Sequence, residues 1–420
     1  MPSIVVKEPA KVAMNVKDKK DSEAKETKEV KSEEAKEAKE THEVKHEVSQ
    51  HSEEASTTTG DVAVNTESAA GGVSGWSIGL GALVLGGLAA AAGGGGGGGS
   101  SDGDSASSSD WSTVSGWGEI DVLAALSSLT GEEYEDTADA TDVSWGINRS
   151  DANDVNALGY AGGGVTIAIL DTGIDTTNSD IMGKVIYQHD YVNDDSDATD
   201  DNGHGTSVAS IIGAANDGVG LTGAAYDAEL MILKVLDENG EGSSDTIATA
   251  ITYAVDHGVD IINMSLGVYT NEVSTLYMDA LQYADDHGVL VVISSGNCGD
   301  GTCDIYGEVI SDEPLSPAIA AQEIDGVLAV GAIDIDGLIA DFSNDAGSST
   351  PYGYVVAAGV DVEVYDLDGN TVLYDGTSFS APLVAAEAAI LLSTGLIADN
   401  ASTDEALVNL ITSSANAVLV

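Results

Sequence analysis

Val165-Thr166-Ile167-Ala168-Ile169-Leu170-Asp171-Thr172-Gly173 is the stretch that decides the fold. A nearly unbroken apolar run of strand length stops at a carboxylate and a Thr-Gly turn, as a strand buried on both faces does. Leu230 to Val235, Val259 to Met264, Val289 to Ser294 and Val327 to Ile333 have the same character. Between these runs, Gly205 to Ala214, Asp245 to Asp256 and Val273 to Asp286 carry helical patterning, and the alanine-rich run Leu383 to Leu392 reads as a buried helix. Strands alternating with helices, joined by right-handed crossovers, predict an α/β fold with a doubly wound, mainly parallel sheet and helices on both faces. Ligands in such folds bind at the carboxyl ends of the strands, where Asp171 stands.

The charge balance narrows the partners. The 420 residues hold 71 acidic and 14 basic side chains, and every basic residue except Arg149, Lys184 and Lys234 lies before residue 46. Nucleic acid and anionic lipid are both recognised through Lys and Arg, so nucleic-acid binding is excluded. Composition divides the chain into four parts: a Lys/Glu-rich segment over 1–70, expected to be disordered, an apolar Gly/Ala-rich segment with a glycine tract over 71–99, an acidic linker over 100–142 with a short helix near Ile120 to Leu129, and a globular domain over 143–420. Residues 73–92 carry no charge over a length that just reaches a membrane span. They lack flanking Lys/Arg clusters and are rich in glycine, so membrane insertion, contact with an export channel and a plain spacer stay open as readings.

Three short motifs carry chemistry. Asp171 ends the first strand; His204 opens a helix in Asp201-Asn202-Gly203-His204-Gly205-Thr206; Ser378 follows a flexible turn in Gly376-Thr377-Ser378-Phe379-Ser380-Ala381-Pro382. Taken singly, these are a turn residue, a structural histidine and a helix cap. Together they supply a hydroxyl nucleophile, a base to take its proton and a carboxylate to orient the base.

In that order, Asp, His, Ser, the motifs resemble those of the subtilisin-like serine peptidases over about residues 143–420. The resemblance implies that Asp171 orients, that His204 is general base and then acid, and that Ser378 attacks the scissile carbonyl. Ser294-Ser295-Gly296-Asn297 matches the family's oxyanion loop, with the Asn297 amide and the Ser378 backbone N–H as donors. Ser265-Leu266-Gly267 matches the edge strand along which extended peptides pair, and Ser295 and Gly296 wall the specificity pocket together with the region near Ser316-Pro317-Ala318. Leu383, Ala386 and Ala358 depart from frequent family residues without touching the triad. The implied protein is a monomeric serine endopeptidase acting on proteins or peptides, with no cofactor required for the chemistry. A non-catalytic binding module on the same fold and an esterase or amidase are the alternatives.

The apolar piece at 73–92 resembles those near the N-termini of exported bacterial surface proteins, which implies a secreted or surface-held enzyme, with anchoring by 73–92 as the alternative. Cys298 and Cys303, the only cysteines, flank a four-residue loop and form either a disulfide or two free thiols, an oxidising exterior favouring the bridge. In the acidic run from Asp190 to Asp201, Asp190, Asp194 and Asp195 are calcium candidates against a solvated reading.

Overall fold

A computed structural model describes residues 111–137, 140, 143–270, 272–299, 304–305, 308–309, 313–348 and 350–418. The segments 1–70 and 71–99, with the apolar run at 73–92, lie outside the described residues, as does Cys303. No helix among the described residues is long and apolar enough to cross a membrane.

The elements in chain order are α1 (Val122–Thr130), α2 (Trp145–Arg149), α3 (Ala152–Ala157), β1 (Thr166–Asp171), α4 (Ser179–Met182), β2 (Val185–Asp190), α5 (His204–Gly213), β3 (Glu229–Lys234), α6 (Ser244–Asp256), β4 (Ile261–Met264), α7 (Thr275–Asp285) and β5 (Leu290–Ser294). There follow a two-residue hairpin of β6 (Asp304–Ile305) and β7 (Glu308–Val309), a 3-10 turn at Ala318–Gln322, β8 (Val327–Ile333), β9 (Tyr354–Ala358), a second hairpin of β10 (Val362–Tyr365) and β11 (Thr371–Tyr374), α8 (Thr377–Ser393) and α9 (Thr403–Ser414). Seven strands pair in the order β2-β3-β1-β4-β5-β8-β9, all in parallel. The expected doubly wound α/β fold is therefore observed.

Alternation along each strand feeds two cores. Ile167 and Ile169 of β1 pack with Val208 of α5, Val384 of α8 and Ile411 of α9, while Ala168 and Leu170 face Ile251 of α6 and Leu281 of α7. Both faces are thus covered, as a parallel sheet requires.

The segment from Trp111 onward, expected as part of a linker, is packed into the domain. Residues 117–120 run beside β9, with hydrogen bonds from Trp117 N to Tyr354 O (3.1 Å), from Val356 N to Gly118 O (2.9 Å) and from Ile120 N to Val356 O (3.2 Å). Glu119 also exchanges backbone bonds with Asn416, at 2.8 and 2.7 Å, which ties the segment to the stretch after α9. The cause lies in its apolar residues: Ile120, Val122, Leu123 and Leu126 are all buried. Trp111 and Trp117 are partly buried and donate their indole N–H groups to Ser348 O and Tyr352 O, both at 2.8 Å. Asp121 caps α1 by accepting from Ala124 N at 2.7 Å, and Glu119 pairs with Arg149.

Leu126→Ala is expected to lower the unfolding free energy by about 2–5 kcal/mol, as buried leucine truncations do. Denaturant melts of the Ser378→Ala background measure it, and a change near zero would mean that α1 contributes nothing to the domain.

Candidate active site

The site is built from loops at the carboxyl ends of β1, β4 and β5 and from the first turns of α5 and α8. Asp171, 1% exposed, closes β1. Its Oδ1 accepts from Thr172 N at 2.7 Å and lies 2.8 Å from His204 Nδ1, which donates to it when the carboxylate is ionised. The second oxygen, Oδ2, is buried and makes no hydrogen bond among the described residues.

His204 is held by the loop before it. Asp200 Oδ1 accepts from Thr172 Oγ1 (2.9 Å), Gly203 N (2.8 Å) and Asn202 N (3.1 Å), and Oδ2 accepts from Thr206 N (2.9 Å) and Thr206 Oγ1 (2.6 Å). Burial alone would raise the pKa of Asp200, but these donors outweigh it and hold the carboxyl below its usual value. Thr172 Oγ1 in turn accepts from Gly205 N at 2.8 Å, so one threonine links the Asp171 turn to the His204 helix. Gly205 permits the approach: a Cβ there would stand 2.4 Å from Gly173 O. Asp200 and Thr172 hold this loop in place, a part that pattern reading missed, because an aspartate in an acidic run looks solvated.

Ser378 is the second residue of α8, and Gly376 occupies the N-cap without a side-chain cap bond. The cap position open to Ser378 from sequence therefore falls to Gly376, two residues earlier. Four residues later, Pro382 lies inside the helix, where it has no N–H to offer the Ser378 carbonyl. Ser265 Oγ donates to that carbonyl instead, at 2.8 Å, and accepts from Asn263 Nδ2 at 3.0 Å. The Ser378 hydroxyl is directed at Ser265 O, 3.5 Å away, and no hydrogen bond among the described residues joins it to His204. The two are neighbours through Phe379, whose ring lies 5.6 Å from the His204 ring.

Asn297 follows the turn after β5. Its Oδ1 accepts from Thr377 N and Thr377 Oγ1, both at 2.9 Å, which turns the amide nitrogen toward the start of α8, 3.6 Å from where a Cβ on Gly376 would sit. Gly296 N donates to Thr377 Oγ1 at 3.3 Å, and Ser295 is fully buried with its backbone bonded to Val330 O and Leu315 N. Asp171 and His204 thus meet directly, while Ser378, Asn297, Gly296 and Ser265 gather around the first turn of α8. Leu266 and Gly267 continue past β4, which is an internal strand between β1 and β5. The expected edge strand is a segment that has left the sheet.

The calcium candidates do not converge. Asp190 is buried and caps its own turn, accepting from Val192 N (2.7 Å), Asn193 N (2.9 Å) and Asn193 Nδ2 (2.9 Å). The Asp194 side chain is 98% exposed, and Asp195 accepts from Asp197 N at 2.8 Å. Among the described residues, the three carboxylates with oxygens within 4.8 Å of one another are Asp136, Asp151 and Asp154. Cys298 is disulfide-bonded.

Burial disfavours the charged form of His204, but the charge and hydrogen bond of Asp171 and the charge of Asp200 outweigh it and raise its pKa. The imidazole is therefore a stronger base than an ordinary histidine.

Comparison with known proteins agrees with this geometry. Residues 162–419 match the model of the Subtilase family. The chain is 37% identical over 270 residues to the Thermophilic serine proteinase of Bacillus sp. (strain AK1), covering 63% of this chain and 58% of that protein. It is 37% identical over 256 residues to Subtilisin DY of Bacillus licheniformis, covering 60% and 86%. Among solved structures it is similar to a cold adapted subtilisin-like serine proteinase, with a TM-score of 0.52 and 26% identity over 64% of this chain and 90% of that one.

In the folded protein His204 is expected to titrate above the ordinary histidine value, and Asp171→Asn to bring it below that value, since burial then dominates. NMR titration of the imidazole signals in Ser378→Ala reads both, and an unmoved value in the Asp171 variant would contradict the assignment.

Proposed function

The chain belongs to the subtilase family of serine-type endopeptidases, and we propose that it hydrolyses peptide bonds in extended substrates through an acyl-enzyme formed at Ser378. The observation that carries the proposal is the 2.8 Å bond between Asp171 and His204, made by two separate loops that both face the start of α8. Asp171 holds His204 in the tautomer with Nδ1 protonated, leaving Nε2 as the base. After rotation of Ser378 away from Ser265 O, its Oγ attacks the carbonyl carbon and its proton passes to Nε2. The C–O π pair moves to oxygen, where Asn297 Nδ2 and the Ser378 N–H meet the oxyanion; that N–H lies in the first turn of the helix, whose donors have no intrahelical acceptor. His204 then gives the proton to the leaving amine, and water repeats the sequence on the acyl-enzyme. Each step uses protein groups and water. Structural calcium is proposed separately, as a contribution to stability.

Leu266 and Gly267 lie beside this centre and offer backbone groups to a peptide in extended form. Leu315, 4% exposed, fills the space between Gly267 and Gly296: a Cβ on Gly296 would come within 2.8 Å of its side chain. Small substrate residues are favoured where the chain passes between these glycines. The disulfide at Cys298 supports action in an oxidising compartment, outside the cell or at its surface.

An active-site-directed phosphonate is expected to label wild-type protein at Ser378 and to leave Ser378→Ala and His204→Ala unlabelled. Labelling independent of Ser378, or none, would remove the proposal. Asn297→Ala is expected to lower kcat with little change in KM, because its amide bonds the transition state and not the ground state.

A peptide panel tests the substrate class. Lys/Arg-containing peptides should exceed matched Asp/Glu peptides in kcat/KM at low salt, with the difference shrinking as salt screens the acidic cleft. Leu315→Gly should raise cleavage after large side chains relative to small ones. Equal rates across charge and size would show that neither feature selects substrate.

A further inference from the structure

Among the basic side chains of the described residues, the one that the fold buries is Lys234. Its side chain is 2% exposed, against 34% for Arg149 and 25% for Lys184. Burying an ammonium is costly unless it is paired and its donors are satisfied. Here all three donors find acceptors: Thr172 O at 2.7 Å, Asp201 Oδ1 at 2.7 Å and Leu236 O at 3.0 Å. The acceptors come from three loops, after β1, before α5 and after β3. Lys234 ends β3 directly opposite Asp171 in the parallel ladder, and Val235 N and Leu236 N both donate to Asp171 O, at 2.9 and 3.2 Å. Asp201 is adjacent to Asp200, which holds the His204 loop. A methionine would fill the same volume without desolvating a charge, so what the ammonium adds at this place is its three bonds to the surrounding loops.

We infer that Lys234 is a positioning residue, whose buried ammonium clamps the loop carrying His204 to the strand end carrying Asp171. The inference rests on the proposed roles of Asp171, His204 and Ser378. It adds a second effect, electrostatic in origin. The charges that act directly on His204 are those of Asp171 at the end of β1 and Asp200 in its own loop; beyond them lies the ion pair of Lys234, at the end of β3, with Asp201, while α8 contributes the neutral Phe379 ring. Lys234 is the one cation in this set. It opposes the carboxylates that favour the imidazolium, and so it keeps His204 available as a base at lower pH than the carboxylates alone would allow.

The test compares Lys234→Met, Lys234→Arg and Asp201→Asn with wild type. Measurements are kcat and KM on one peptide, the pH dependence of kcat/KM and the thermal unfolding midpoint. Lys234→Met should lower kcat on the order of ten- to a hundredfold, as small misplacements of reacting groups do, with KM within about twofold. Its acid limb should move to higher pH. Lys234→Arg keeps the charge and should keep the acid limb of wild type. Asp201→Asn removes a negative charge and should move the limb the opposite way, to lower pH, and this variant changes only a half-exposed partner if Lys234→Met does not fold. Wild-type kcat and acid limb in Lys234→Met, or an unmoved limb in Asp201→Asn, would overturn the inference. Phosphonate labelling of wild-type Ser378 separates the cases: unlabelled wild type fails the proposed function, whereas labelled wild type with unaltered variants fails this inference alone.

Discussion

The carboxylate of Asp200 takes five hydrogen bonds inside the protein, and the arrangement of the site follows from them. A buried carboxylate tolerates its loss of water only when its lone pairs are filled. Filling them draws Thr172, Asn202, Gly203 and Thr206 around one point, which sets the loop between the end of β1 and the first turn of α5. Asp171 and His204 then meet because the residues next to them are already fixed. Gly205, with no Cβ, lets the two backbones close to contact. At the other side of the site Pro382 plays a comparable part: the helix bond it cannot make leaves the Ser378 carbonyl to Ser265, and this attaches α8 to the segment beyond β4.

What the sequence allowed to be read follows burial. β1, β3, β4, β5 and β8 have neighbours on both sides and helices on both faces, so their residues are nearly all apolar and their runs stand out. β2, in Val185-Ile186-Tyr187-Gln188-His189-Asp190, is an outer strand with partly exposed positions, and its pattern does not separate from a polar loop. β9 is covered by residues 117–120, yet it is short, with alanine at two of its five positions and a glycine on either side, so it carries little signal. Helix α8 begins six residues before the expected Leu383, because Pro382 reads as a break and only a tertiary partner reveals that the missing bond is replaced.

The site divides in the same way. Asp171, His204, Ser378 and Asn297 sit in short glycine-flanked motifs, whose chemistry can be recognised residue by residue. Asp200, Thr172 and Lys234 join the site through partners that include residues 28 to 62 positions away in sequence, and no local motif marks them. The acidic composition hides them further, since one structural aspartate among many exposed ones has no separate pattern. In the segment after Trp111 the short helix near Ile120 to Leu129 is legible and is found as α1, but the docking of its buried apolar residues onto the domain is not, since only a tertiary partner shows it.

Glu119 and Asn416 bond to each other through their backbones, which seams the segment before α1 to the segment after α9 beside β9, the outer strand of the sheet. Loose ends and open strand edges are where backbone first separates from a folded domain and becomes long enough to enter a protease cleft. Neither of these two segments can lift from the sheet edge without breaking bonds to the other or to β9. A peptidase at work is surrounded by copies of itself, each able to cut whatever unravels. Joining the two segments over β9 closes a strand edge that would otherwise be open to a sister molecule.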